Sequence, residues 1–89
     1  MKLQDLLKSK RVELGYSQER LAEILGYSSG QFVSNWERGE SFPPIDRLAK
    51  LSLIYGYTDE TLLNMFLKES EMSVKKEYLK ALEFHKTFE

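Results

Sequence analysis

Residues 17–39, SQERLAEILGYSSGQFVSNWERG, decide the fold of this chain of 89 residues. Within them, a short helix that ends at Gly26 has apolar residues on one face. These residues are Leu21, Ala22 and Leu25. The helix after it, the third of the chain, is predicted over residues 29–38. In this helix, Val33 and Trp36 are spaced to face inward. The segment therefore predicts two short helices that meet at a tight turn.

Helical spacing of apolar residues continues on both sides of this segment. A first helix ends at Gly15, and the Ser17 hydroxyl can cap the helix that follows. Pro44 suits the first turn of a fourth helix, which Gly56 ends, and Thr58 can cap a fifth. Because no alternating strand pattern occurs, the predicted fold class is all-α, with a helix-turn-helix at its centre.

The end of the chain predicts a separate element. Residues 70–73 form a polar break, and Ser73 can cap a sixth helix. The apolar face of that helix comprises Val74, Tyr78, Ala81, Leu82, His85 and Phe88. We therefore expect a five-helix domain in residues 1–70 and an extra C-terminal amphipathic helix in residues 71–89. This helix could pack on helices one and five, pair with a second chain, or bind a different protein.

The composition excludes several classes of function. Thirteen Lys and Arg residues against fourteen Asp and Glu leave a net charge of −1, which argues against a protein that simply coats nucleic acid by charge. Cysteine is absent, and the single histidine, His85, is expected to lie half-buried on the tail helix. We expect no enzyme activity, no cofactor and no metal site. No apolar run matches a membrane span or a secretion signal, which predicts a soluble, cytoplasmic protein.

The outward side of the third helix is the candidate functional surface. If Val33 and Trp36 anchor that helix to the core, then Gln31, Ser34 and Asn35 project outward. An α-helix fits the major groove of DNA, where a side-chain amide can offer a donor and an acceptor to adenine. Two roles stay open for the neighbouring Phe32, which could contact a thymine methyl or belong to the dimer or core surface.

The chain resembles the phage-repressor helix-turn-helix proteins of the Cro and cI type over about residues 3–67. The pattern S-Q-x-x-L-A, followed by S-x-W-E-x-G, carries the resemblance. The matching residues are Arg11, Gly15, residues 17–22, Gly26, residues 34–39, Pro44, Leu48 and Leu51. The resemblance implies a five-helix, lambda-repressor-like domain. It also implies a sequence-specific regulator of transcription that binds double-stranded DNA, in most such proteins as a repressor.

Roles for individual residues follow from the resemblance. It implies a phosphate contact for Gln18, a backbone contact for Arg38, and a structural ion pair between Arg11 and Glu37. It assigns base reading to the first turn of helix three and to the position one turn later. Together with the outward-facing Ser34, the predicted base-reading residues are Ser29, Gly30, Gln31, Ser34 and Asn35.

The chain departs from the family pattern in three places. It has one more residue between Gly26 and Trp36 than the commonest pattern, Gly30 stands where a polar residue is frequent, and Glu40 stands where a basic residue is usual. Arg38 is the chief cation for phosphate, and Lys8, Lys10 and Arg47 are lesser candidates. We therefore expect the non-specific affinity for DNA to be modest and strongly salt-dependent.

Two sets of partners follow from these observations. A DNA reader of this type is expected to be a homodimer, because two-fold proteins match palindromic half-sites. The alternative is a protein-interaction module, such as an antitoxin or anti-repressor, that binds a partner protein through residues 74–88. The sequence pI of about 5.9 and the amphipathic tail favour this second interpretation.

Overall fold

A computed structural model describes residues 1–86, which form five α-helices and no strand. The helices are α1 (Leu3–Glu13), α2 (Gln18–Ile24), α3 (Gln31–Glu37), α4 (Ile45–Ile54) and α5 (Thr61–Lys86). The all-α prediction, with a helix-turn-helix formed by α2 and α3, is confirmed. No helix within residues 1–86 has the length and apolar character needed to cross a membrane.

All five helices contribute to one hydrophobic core. The buried apolar residues are Leu3, Leu7, Leu21, Ala22, Leu25, Val33, Trp36, Leu48, Leu51, Tyr55 and Leu62. Since α2 and α3 have only seven residues each, neither would be stable as an isolated helix in water. Their stability therefore comes from this shared core.

Helix capping is partly local and partly tertiary. As predicted, the Ser17 hydroxyl accepts a hydrogen bond from the Arg20 backbone N–H, at 3.0 Å. Helix α1 has no local side-chain cap. Instead, the backbone N–H of Leu3 donates to Oε2 of Glu69 on α5, at 2.7 Å. This hydrogen bond ties the two ends of the domain together.

The predicted cap of α5 at Thr58 is wrong. Asp59 Oδ1 accepts hydrogen bonds from the backbone N–H of Thr61 at 3.1 Å and from its hydroxyl at 2.6 Å. The hydrogen bond from the Thr61 hydroxyl is the main reason why the pKa of the Asp59 carboxyl lies below its usual range, and the bond from the Thr61 backbone N–H lowers it further. Because α5 begins at Thr61, Thr58 lies too early to cap it. Asp59 instead closes the turn onto the first helical residue, and the Glu60 carbonyl oxygen accepts the first helical hydrogen bond, from the Asn64 backbone N–H.

The predicted sixth helix is the second half of α5. Helix α5 runs without interruption through residues 70–73, so Ser73 is not a helix cap. Ser70 donates its hydroxyl hydrogen to the Leu67 carbonyl oxygen, at 3.3 Å, within the helix. Without glycine or proline after Gly56, the polar residues of this stretch do not end a helix.

What changes near residue 70 is burial. Residues 71–86 are all exposed, whereas the first part of α5 packs on α1 and α4. The tail therefore does not pack back on helices one and five, and His85 is exposed where we had expected it half-buried. Phe88 lies outside the described residues.

Replacing Tyr55 by phenylalanine should cost about 1 kcal/mol at neutral pH. The buried Tyr55 hydroxyl donates to the Leu7 carbonyl oxygen at 3.2 Å. Burial raises the pKa of Tyr55 above its ordinary value of 10.0. Above a pH of about 10, the unfolded chain loses the Tyr55 proton, whereas the folded protein keeps it. The contribution of Tyr55 to stability therefore decreases as the pH rises above that value. Urea titrations measure the free energy of unfolding of wild type and of Tyr55→Phe. The difference between these two free energies should be constant below that pH and shrink above it.

Candidate nucleic-acid interface

Helix α3 is anchored to the core on one side and exposed on the other. Val33 and Trp36 are buried, with 1% and 3% of their surfaces exposed. Gln31 lies exposed, and Ser34 and Asn35 are half-buried. The outward projection expected for these polar residues is therefore complete only for Gln31.

The start of α3 differs from the prediction. The helix begins at Gln31, with Gly30 as its first flanking residue, so Ser29 and Gly30 belong to the preceding turn. The exposed Ser29 hydroxyl accepts a long hydrogen bond, 3.4 Å, from the Gln31 backbone N–H. The turn before α3 therefore extends to Gly30, and Val33 and Trp36 face inward as predicted.

Gly30 lies against the first turn of α2. A Cβ atom at this position would be 3.1 Å from the Glu19 backbone nitrogen and 3.2 Å from the Gln18 carbonyl carbon. These contacts are tight and involve backbone atoms, so a side chain would push the two helices apart. The structure therefore gives Gly30 a packing role, and base reading at this position stays a prediction.

Phe32 packs on an aromatic cluster of its own chain. Its ring stacks on Tyr27, with centroids 4.5 Å apart, and Tyr27 meets Trp36 edge-on at 5.7 Å. Phe32 is still 50% exposed. One side of the ring thus supports the turn before α3, and the other side is free to contact a thymine methyl.

An ion pair joins α1 to α3. Arg11 Nε lies 2.7 Å from Glu37 Oε2, and the second guanidinium nitrogen, Nη2, lies 3.0 Å from Oε1. The third nitrogen, Nη1, donates to the Tyr16 carbonyl oxygen at 2.8 Å. Both side chains are nearly buried, and the hydrogen bond to Glu37 raises the pKa of Arg11. This bidentate pair fixes the end of α3 relative to α1.

Gln18 also belongs to this buried network. Its Nε2 donates to Glu37 Oε1 at 3.1 Å, and the side chain is half-buried. The Gln18 amide nitrogen has two hydrogens, and the bond to Glu37 uses one of them. The other N–H remains to donate to a phosphate oxygen, which is the contact implied by the resemblance. The bond to Glu37 fixes the position of that amide.

The exposed side of α3 carries a second hydrogen-bonded group. Gln31 Nε2 donates to Asn35 Oδ1 at 2.8 Å, and Arg38 Nη2 donates to the same oxygen at 2.7 Å. The same Arg38 nitrogen lies 3.2 Å from Oε2 of Glu40. The structure thus links two predicted base readers to the predicted phosphate contact. Glu40, a departure from the family pattern, joins them.

Arg47 lies beside the turn that leads into α3. Its guanidinium is 5.4 Å from the centre of the Tyr27 ring. Its Nε is buried and has no hydrogen-bond partner within residues 1–86. The sequence identified Arg47 only as a lesser cation, because nothing in the spacing places α4 next to Tyr27.

Comparison with known proteins defines the class of this chain. Residues 7–62, more than half of the chain, match the helix-turn-helix family. The chain therefore belongs to the helix-turn-helix family, which confirms the resemblance found in the sequence.

One relative comes from a prophage. The chain is 40% identical over 57 residues to the SPbeta prophage-derived uncharacterized HTH-type transcriptional regulator YonR of Bacillus subtilis (strain 168). The alignment covers 64% of this chain and 52% of that protein, so the chain spans about half of its relative's length. No solved structure matches the chain.

Proposed function

We propose that this protein is a sequence-specific, double-stranded DNA-binding regulator of transcription that acts as a repressor by occupying its operator. The observation that carries the proposal is the polar, outward side of α3, above an inner side held by Trp36 and the Arg11–Glu37 pair. A helix fixed in this way can enter the major groove without losing its orientation. Family membership and the name of the prophage relative support the same function.

The charge of the chain indicates how it would bind. With a net charge of −1, non-specific attraction to phosphates is weak, so contacts to base edges must supply much of the binding free energy. Arg38 and Gln18 are the proposed phosphate contacts. Ser29, Gly30, Gln31, Ser34 and Asn35 are the proposed base-reading positions.

Selection from a pool of randomised DNA duplexes tests the proposal. We expect an enriched palindrome whose half-sites lie about one helical turn apart. A promoter that contains this palindrome should be silenced when the protein is expressed. A pool that stays unenriched at low salt would contradict the proposal.

Alanine at Gln31 or Asn35 should weaken binding to the selected site by about 1–3 kcal/mol and relax specificity at one base position. The physical reason is the loss of an amide that hydrogen-bonds a base edge. Asn64→Ala is the matched control, because Asn64 is an exposed amide on α5. Titrations of labelled DNA measure the effect, and unchanged affinity in both α3 variants would mean that this helix does not read bases.

We further propose that the protein is a homodimer joined by the outer stripe of α5, defined as Leu67, Val74, Tyr78 and Leu82. These residues share one face of the helix and are 40% to 65% exposed. Leu62 and Glu69 lie toward the body on the opposite side. Burying the exposed part of these four side chains in both subunits contributes on the order of 6–12 kcal/mol before ordering costs, which is enough to hold a dimer.

Val74→Glu should convert the dimer to a monomer, because a carboxylate in an apolar seam loses its hydration. Sedimentation velocity measures the change. The control is Lys76→Glu, which changes a charge on another face of the same exposed segment.

Removal of residues 71–89 should leave a folded domain with weakened self-association. A dimer that persists after this truncation would exclude the stripe as the seam.

The same stripe favours a second candidate function, a protein-interaction module such as an antitoxin or anti-repressor. In that case, the stripe would bind a different protein and DNA binding would be secondary. A monomeric chain, an unenriched DNA pool and one partner protein recovered in stoichiometric amount would support this alternative.

A further inference from the structure

The hydrogen-bonded group on α3 contains information about which base it can read. It consists of Gln31, Asn35, Arg38 and Glu40, linked by contacts of 2.7–3.2 Å. We call these residues the amide relay. Asn35 Oδ1 is its centre, since this oxygen accepts from both Gln31 and Arg38.

Elementary chemistry fixes the orientation of both amides in the relay. A guanidinium only donates hydrogen bonds, so the Asn35 atom 2.7 Å from Arg38 Nη2 must be the oxygen. The Gln31 atom 2.8 Å from that oxygen must then be the nitrogen. As a result, the Asn35 Nδ2 donors and the Gln31 Oε1 acceptor remain for a ligand.

The occupied oxygen restricts what Asn35 can recognise. Reading adenine with both atoms of one amide requires its oxygen to accept from the adenine amino group. In Asn35, both lone pairs of that oxygen already have donors, and one donor is the charged Arg38. The Nδ2 group has two N–H donors, and the guanine edge in the major groove offers two acceptors, O6 and N7.

We propose that Asn35 reads guanine through Nδ2, with Arg38 as the positioning residue that keeps the amide oxygen occupied. Glu40 holds Arg38 from the other side through its carboxylate. The inference rests on the proposed function, because it specifies the base that the same α3 surface selects. It also explains why an acidic residue follows this helix, since Glu40 holds the arginine near the amide.

The test is duplex selection with wild type and Asn35→Asp. Aspartate keeps an oxygen for Arg38 but replaces the Nδ2 donors with an acceptor. We expect wild type to prefer guanine over adenine by about tenfold or more at one position of each half-site. Asn35→Asp should lose this preference and favour cytosine there, because cytosine N4 is a donor. Asn64→Asp is the control and should retain the guanine.

Arg38→Met separates positioning from simple loss of affinity. It should weaken binding at every site and, in addition, narrow the guanine-to-adenine preference at the Asn35-dependent position toward equality. A uniform loss with an unchanged preference would exclude Arg38 as the positioning residue. Adenine at that position in the wild-type palindrome would overturn the guanine assignment and leave the proposed function intact. Absence of any enriched sequence would instead contradict the proposed function itself.

Discussion

Replacing Glu37 by alanine should lower the free energy of unfolding by about 3–5 kcal/mol. Glu37 has a side chain only 3% exposed, and it accepts hydrogen bonds from Arg11 and Gln18. Its removal leaves the Arg11 guanidinium nearly buried, still charged and without its carboxylate. For a domain of this size, that loss is a large fraction of the total stability.

Urea unfolding followed by circular dichroism measures this effect, and two variants serve as controls. Glu23→Ala removes the exposed pair with Arg20 and should cost less than about 1 kcal/mol. The double variant Arg11→Met with Glu37→Leu should recover much of the loss, because apolar residues of similar volume often replace a buried ion pair. A cost for Glu37→Ala no larger than that for Glu23→Ala would show that the pair does not stabilise the fold.

The pH dependence of this loss has a defined sign. The folded-state pKa of Arg11 is raised by the hydrogen bond to Glu37. Its contribution to stability is therefore complete below the pKa of the unfolded chain and is lost only as the pH rises through the raised value. Arg11 therefore stays charged around neutral pH. Its titration should not alter the loss in free energy of unfolding caused by Glu37→Ala in that pH range.

Replacing Trp36 by alanine should cost about 3–5 kcal/mol and detach α3 from the core. The Trp36 side chain is 3% exposed and contacts Tyr27 edge-on. A seven-residue helix cannot hold its own shape once this anchor is removed, so loss of DNA binding should accompany loss of stability.

Phe32→Ala is the matched control, since Phe32 is an aromatic residue of the same helix that is 50% exposed. It stacks on Tyr27, so its removal should cost only about 1 kcal/mol. Thermal unfolding and DNA titration of both variants measure the two effects. If the two substitutions cost the same, the assignment of Trp36 as the anchor is wrong.

Short-range patterns explain why most of the fold could be predicted. Glycines mark the helix ends, and four of them have positive φ, a conformation that side chains with a Cβ disfavour. The Ser17 cap and the inward-facing Val33 and Trp36 depend on residues within one or two helical turns. Such patterns can be recognised because the participating atoms are close along the chain.

The predictions that went wrong concern helix boundaries. The break at residues 70–73 relied on polarity, which does not end a helix in the absence of glycine or proline. Helix α3 begins at Gln31 and not at residue 29, and Gly30 packs on the backbone of α2 in the turn before it. Glu69, far along the chain, caps α1. In the first two cases the helix boundary differs from what the local pattern predicted, and for the start of α1 the local pattern predicted no cap.

The sequence by itself determined the helical class, the helix-turn-helix and the polar residues of α3, because helical periodicity and glycine caps act over a few residues. Tertiary structure decided which side chains contact one another and which stay exposed. It joined Gln18 to Glu37 in the core, brought Arg47 to Tyr27 and left the tail of α5 exposed. The physical reason is that packing of distant helices sets which atoms face one another, and hydrogen bonding then orients them.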